Sequence, residues 1–174
     1  METNNFSCRL LKVTTEQFAI FEDNYTAFEA DNLEKRLLVD IHTRFAANIE
    51  SRMFGVYFLY ELKDKDLPVL LVEAGVHFQI DEATWKIYYD IKKSILKIPN
   101  DIAIHLLGIC ISTSRGILHS KTEGTKFNGF ILPLLNTSNF IENDVEIFLD
   151  PNKSLEIKDG KIKTVKPKTT KVKK

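Results

Sequence analysis

The sequence predicts an α+β fold: a long four- to five-stranded, mostly antiparallel sheet, packed by one long helix and one shorter helix. Three observations carry the prediction. Residues 36–50 and 68–80 alternate in polarity with a period of two. Residues 53–62, between them, are apolar on both sides. Beyond residue 81 the apolar spacing becomes helical. Successive side chains on a strand point to opposite faces, whereas helical neighbours recur at three and four residues.

Taken in order, two shorter strands are expected at about 6–13 and 17–22. In 36–50 one face reads Leu37, Val39, Ile41, Thr43, Phe45, Ala47 and Ile49, and the other reads Arg36, Leu38, Asp40, His42, Arg44, Ala46, Asn48 and Glu50. That is a strand with one buried and one wet face. Residues 53–62, rich in aromatic and β-branched residues, read as a central strand. The polar run Lys63-Asp64-Lys65-Asp66 turns it into 68–80, where Leu70, Val72, Ala74, Val76, Phe78 and Ile80 share one face. Leu71, Glu73, His77 and Gln79 share the other.

Asp81 or Glu82 can cap a helix carrying Trp85, Tyr88, Tyr89, Ile91, Ile95 and Leu96, which Pro99 would end. Asn100 or Asp101 can cap the longer helix. Its stripe is Ile104, Leu107, Ile111 and Leu118, widened by Ile102, Leu106 and Ile109. Gly108 within it costs about 1 kcal/mol relative to alanine, which points to close packing against another backbone. The helix should stop before Gly124. The run from Phe130 to Asn136 is apolar but contains Pro133, so it reads as a packed loop or edge segment. A short hairpin is expected from 144–150 and 154–158, around Asp150-Pro151-Asn152.

The chain has 174 residues, 44% hydrophobic and 28% charged, the range of one globular domain and not of a disordered chain. We place that domain at 1–160. The remaining 161–174 hold seven lysines and no acid, and such a tail is expected to be disordered because it cannot bury apolar area. Without it the chain has 17 basic and 24 acidic residues, a body of about −7. The tail reads as a solubilising terminus, or as a contact for an anionic lipid, nucleic acid or acidic partner. Cys8 and Cys110 stand alone in apolar surroundings, as buried free thiols in a reducing compartment would. No stretch looks like a leader or approaches about 18 apolar residues, so a cytoplasmic protein without membrane insertion is expected.

Catalytic signatures are missing. There is no phosphate-binding glycine loop, no metalloprotease or hydrolase motif and no Cys-x-x-Cys pair. His42 and His77 fall on wet strand faces, where solvated histidines are ordinary; with Glu73 they are the one metal candidate, short of a further ligand. His105 and His119 share a helical face but stand about 21 Å apart, too far to act on one atom. Ser112, Thr113 and Ser114 sit mid-helix, where hydroxyls bond back to carbonyls. No aromatic and basic residues interleave as a specific nucleic-acid face would. A non-enzymatic protein without cofactor or metal is expected.

The order of elements and several short motifs resemble the SecB family of protein-export chaperones. Phe28-Glu29-Ala30-Asp31-Asn32 is similar to the family's early Phe-Glu-Ala-Pro-Asn segment, with Asp31 in place of the proline. Residues 54–80 resemble its second hairpin through Leu71-Val72-Glu73, Gly75, Phe78 and Ile80, with a shorter interval between Glu73 and Phe78. Arg115-Gly116 is similar to the pair at the end of the family's long helix, and Leu132-Pro133-Leu134-Leu135-Asn136 to the Pro-Val-Asn segment after it. The resemblance spans about 6–140. The extra residues between Gly116 and Pro133, and the basic tail where the family has a helix and an acidic end, mark a divergent member.

The resemblance implies an ATP-independent holdase that grips unfolded polypeptides, in protein export or for a dedicated client such as the antitoxin of a toxin–antitoxin pair. It implies a homo-oligomer, a dimer or tetramer. Phe21, Tyr25, Phe28, Tyr57 and Leu59 are the client-binding candidates, and a place in the core or in an oligomer interface is the alternative for each. Leu71 and Glu73 match the leucine and carboxylate with which family members contact the translocation motor SecA; an ordinary surface pair is the alternative. The competing readings are an assembly module of the same fold with one fixed protein partner, and an enzyme with a pocket between sheet and long helix.

Overall fold

The computed structural model describes residues 6–25 and 37–149. The expected strand at 154–158 and the lysine-rich tail lie outside them.

Four long strands form the main sheet: β1 (Cys8–Ile20), β2 (Leu37–Asn48), β3 (Met53–Asp64) and β4 (Leu67–Ile80). Their spatial order is β1-β4-β3-β2, with every neighbouring pair antiparallel. Local chemistry sets the two hairpins. Between β2 and β3, the Asn48 side-chain carbonyl accepts the Ser51 backbone N–H at 2.9 Å, and Arg52 takes φ +49°. Between β3 and β4, Lys65 and Asp66 both have positive φ, as a tight two-residue hairpin turn needs.

The N-terminal segment departs from expectation. It is one strand and not two, with register shifts between Leu10 and Lys12 and between Thr15 and Gln17. An extra residue at each shift breaks the period of two, and that break made one bulged strand look like two short ones.

The expected first helix is also shorter. Helix α1 (Glu82–Tyr88) is capped by Asp81, whose carboxylate accepts the Thr84 N–H at 2.8 Å. It then gives way to a hairpin of β5 (Tyr89–Asp90) and β6 (Ile95–Ile98). Asp90 explains the break: its carboxylate accepts the backbone N–H groups of Lys92 and Lys93 at 2.9 and 3.2 Å, an Asx turn in place of a helical turn. Ser94 at φ +52° completes it. Strand β7 (Val145–Phe148) pairs with β6, giving a small second sheet β5-β6-β7.

Helix α2 (Asn100–Thr122) ends two residues before Gly124, which has φ +75°. Its N-cap position is Pro99, and its first N–H is met from outside by the Asp144 carboxylate at 2.9 Å. The helix lies over β4 and β3. Ala103, Leu106, Leu107, Cys110, Ile111, Ser114 and Leu118 form its buried stripe. Below them Phe54, Val56, Phe58, Val72, Val76 and Ile80 are almost fully buried. Leu96, Ile98 and Ile147 of the small sheet close the same core. An 18-residue stretch within α2 has a mean hydropathy of 1.3, apolar enough to cross a membrane by length and composition; here its buried stripe faces the sheet. Among the described residues, Gly108 has no close backbone neighbour outside its own helix. An added Cβ would meet only the Thr137 methyl at 3.9 Å, so the expected tight approach is absent.

Candidate functional site

Exposed apolar side chains occur at several places on the α+β frame, Ile87 and Ile91 among them, and three of these places bear on a binding site. The first is at the far end of β1. Phe21 follows the strand, holds it through its N–H to the Val69 carbonyl at 2.9 Å, and is 40% exposed. A 3-10 turn, Glu22–Asn24, is tied to the β3–β4 hairpin by the Asn24 amide donating to the Pro68 carbonyl at 2.7 Å. This delivers Tyr25 onto two rings that follow α2: Phe127 at 5.7 Å and Phe130, edge-on, at 5.3 Å. Glu22 and Lys126 pair across the same junction at 3.0 Å. Phe127 and Phe130 were not among the sequence candidates. Their only signal was two aromatics between Gly124 and Asn136, in a stretch without periodicity.

The second place is the segment after these rings. Arg115 of α2 donates from Nε to the Leu132 carbonyl at 3.1 Å and from its terminal nitrogen to the Pro133 carbonyl at 2.9 Å. Leu132 is 1% exposed and plugs the core, while its neighbours Ile131 and Leu134 are 79% and 92% exposed. The guanidinium fork and the Leu132 plug thus hold two apolar side chains out in water. Beside this segment, the outward side of α2 and Thr137 form an open groove of about 830 Å³, walled by Ile104, Gly108, Ile109 and Ser112. The third place is β1 itself. Opposite residues share a face, so Leu10 (opposite Phe78) and Val13 (opposite Val76) lie on the helix side of the sheet. They are nevertheless 56% and 45% exposed, because α2 covers β4 and β3.

The other face of the sheet is polar and ordered. Gly55 and Gly75 leave a hollow in which the Tyr57 ring lies; a Cβ at Gly55 would stand 2.9 Å from Tyr57 Cε2. The Arg44 guanidinium sits 3.8 Å over the ring centroid and donates to the Glu73 carboxylate at 3.0 Å. Gln17 donates to the other Glu73 oxygen, also at 3.0 Å. His77 meets the Tyr57 ring edge-on at 5.5 Å, and its Nε2 lies 3.2 Å from the Thr14 hydroxyl, which also bonds Glu16. Burial pushes the Tyr57 phenol up, against the pull of Arg44. Burial, then Lys12, lowers the His77 imidazole, opposed by Glu16 and reinforced by Arg44.

The candidates therefore fall in two groups. Phe21 and Tyr25 sit at the aromatic junction. Tyr57, Leu59, Leu71 and Glu73 belong to the face of the sheet that no helix among the described residues covers, with Leu59 directly beside Glu73 and Leu71 opposite Glu61. Glu73 is 8% exposed and both its oxygens are engaged within the chain. Phe28 lies outside the described residues. His42 and His77 share the open face, yet among the described residues no three His, Cys, Asp or Glu side chains gather as metal ligands. Ser112, Thr113 and Ser114 each donate to the carbonyl four residues back, at 2.9 Å. Cys110 is buried, with its thiol pushed up to about 12 by desolvation.

No protein-family model matches the chain. No curated protein matches it either. Among solved structures, it is similar to a Mycobacterium tuberculosis SecB-like chaperone in complex with a ChAD peptide from the HigA1 antitoxin. The identity is 12%, the match covers 74% of this chain and 90% of that one, and the TM-score is 0.43, a distant likeness of fold.

Proposed function

We propose that this chain is an ATP-independent holdase that grips unfolded polypeptide on fixed apolar side chains. One observation carries the reading: Ile131 and Leu134 are held in solvent by the Arg115 fork and the buried Leu132, where a collapsed loop would have hidden them. Exposed apolar surface on a rigid frame binds many sequences without a shape-specific pocket. Phe21 beyond β1 and the exposed Leu10 and Val13 near its start offer further apolar side chains to a client. A protein that binds only unfolded chains shifts their population by mass action, so no nucleotide is required. The finer parts of the proposal are the residue roles and partners. Clients are taken in export or from one dedicated source such as an antitoxin, and the working form is a dimer or tetramer. Leu71, beside the held carboxylate of Glu73, is the docking point for a SecA-like partner on the open sheet face.

The test is aggregation of a chemically denatured model protein diluted into buffer without nucleotide. The chain at stoichiometric amounts should delay light scattering. Unchanged aggregation of several unrelated substrates would refute the holdase reading and leave that of an assembly module with one fixed partner.

A further inference from the structure

The last turn of α1 and the turn between β5 and β6 present side chains that the core does not use. Ile87, in α1, is 74% exposed, and Ile91, just after β5, is 78% exposed. Four residues span at most about 14 Å, so the two lie within one footprint. The segment from Lys86 to Lys93 holds three lysines and one acid. That acid, Asp90, is occupied by the turn itself: one of its oxygens accepts the Lys92 and Lys93 backbone N–H groups. Lys86 pairs with Glu82 at 2.6 Å, an exposed pair that costs little to open.

We infer that this tip is a contact for an anionic membrane surface. The two isoleucines reach the boundary between headgroups and acyl chains, and the lysines lie among the anionic headgroups. Aliphatic side chains set among lysines fit that surface better than they fit another polyanion or a protein. Nucleic acid would take the lysines but leave the isoleucines in water, because its bases stack on aromatic rings. The nearest rings, Tyr88 and Tyr89, are already packed on Phe6 and Trp85. A stable protein interface buries roughly 800 Å² per partner, more than two isoleucines on a turn provide. A fluid bilayer needs no matching shape.

The place where the described chain ends adds a second signal. The Leu149 N–H donates to the Ser94 carbonyl at 2.8 Å, so the chain leaves β7 beside the same turn. Beyond it the sequence runs on to 161–174, with seven lysines and no acid. One weak apolar anchor holds a bilayer only marginally, and a polybasic stretch on the same chain makes the attachment stable. Without those lysines the chain has 17 basic and 24 acidic residues. An anionic surface therefore repels the body as a whole and favours approach by this end. The inference does not rest on the holdase reading, since none of Leu10, Val13, Ile131 and Leu134 enters it.

The test is flotation of the full chain with phosphatidylcholine vesicles, with and without phosphatidylserine. The chain should float only where phosphatidylserine is present, and should come off as salt is raised. Ile87→Ser with Ile91→Ser, which leaves the charge unchanged, should weaken binding about tenfold or more. Lys92→Glu with Lys93→Glu should weaken it about as much. Trp85 is buried in α1 and is the chain's one tryptophan, so its unchanged emission would show that α1 stays folded in these variants. In a separate Ile91→Trp chain, emission should shift to shorter wavelength on phosphatidylserine vesicles. Absence of flotation at low salt would overturn the inference, as would flotation that the serine pair leaves unchanged. Binding without an emission shift in Ile91→Trp would overturn it too, by assigning the contact to the lysine tail alone. So would tighter binding to single-stranded RNA than to the vesicles, or a dimer in sedimentation that the serine pair breaks, which would give the tip to a second copy.

Discussion

Tyr57 shows how one residue type fixes the place of another. Its ring lies flat on the open sheet face only because positions 55 and 75 carry no side chain. A Cβ at Gly75 would stand 2.6 Å from Thr14 Oγ1, 2.9 Å from Glu16 Oε1 and 3.0 Å from Tyr57 Cδ1. Glu16 can swing away, but Thr14 is held on β1 and Tyr57 beneath Arg44. Gly75→Ala should therefore cost about 1–3 kcal/mol in urea unfolding, an overpacking penalty. His77, beside the same ring, makes stability depend on pH. Its imidazole is held below its ordinary value by burial and by Lys12 and Arg44, with Glu16 opposing. The unfolded chain thus takes up the proton first as pH falls, so stability is full above about pH 6.5 and declines below it. In His77→Gln that decline below about pH 6.5 should be shallower, read as the urea midpoint against pH. An unchanged slope would assign the decline to other groups.

At the scale of elements, strands with a long sustained apolar face were legible and the broken N-terminal strand was not. The boundaries expected for β2, β3 and β4 hold to within two residues, because each turns one apolar face to the core and the extra residue of β4, at Val69, falls beside its hairpin turn. The bulges of β1 and the Asx turn of Asp90 each break a period through a single residue, which apolar spacing alone does not register. Half of the candidate site was hidden for a related reason. The loop carrying Phe127, Phe130, Ile131 and Leu134 has no periodicity, and the fork that organises it joins Arg115 to carbonyls 17 and 18 residues away. That fork gives a direct prediction. Lysine has one ammonium and cannot bridge two carbonyls in the planar geometry of arginine. Arg115→Lys should lower stability by about 1–2 kcal/mol. It should also speed proteolytic cleavage between Ile131 and Leu134; equal cleavage rates would mean that Leu132 alone holds the segment.

For the whole molecule, the question is whether outward apolar side chains serve folding or something else. Leu132, Ile131 and Leu134 lie within four residues and are similar in size, yet their environments are opposite, 1% against 79% and 92% exposed. Truncating a buried leucine removes its transfer energy and leaves a cavity, so Leu132→Ala should cost about 2–5 kcal/mol. Side chains already in water have no such term, and Ile131→Asp with Leu134→Asp should leave the urea midpoint within about 0.5 kcal/mol of the parent. The same double variant should bind less of a hydrophobic reporter dye and protect a denatured substrate less well, because the surface it alters is used only in association. Stability and capture are thus separable in one protein. Loss of both together would place Ile131 and Leu134 in a structural contact made in the assembled form, and loss of neither would move client binding to the strip of Leu10 and Val13 or to the junction of Phe21 and Tyr25.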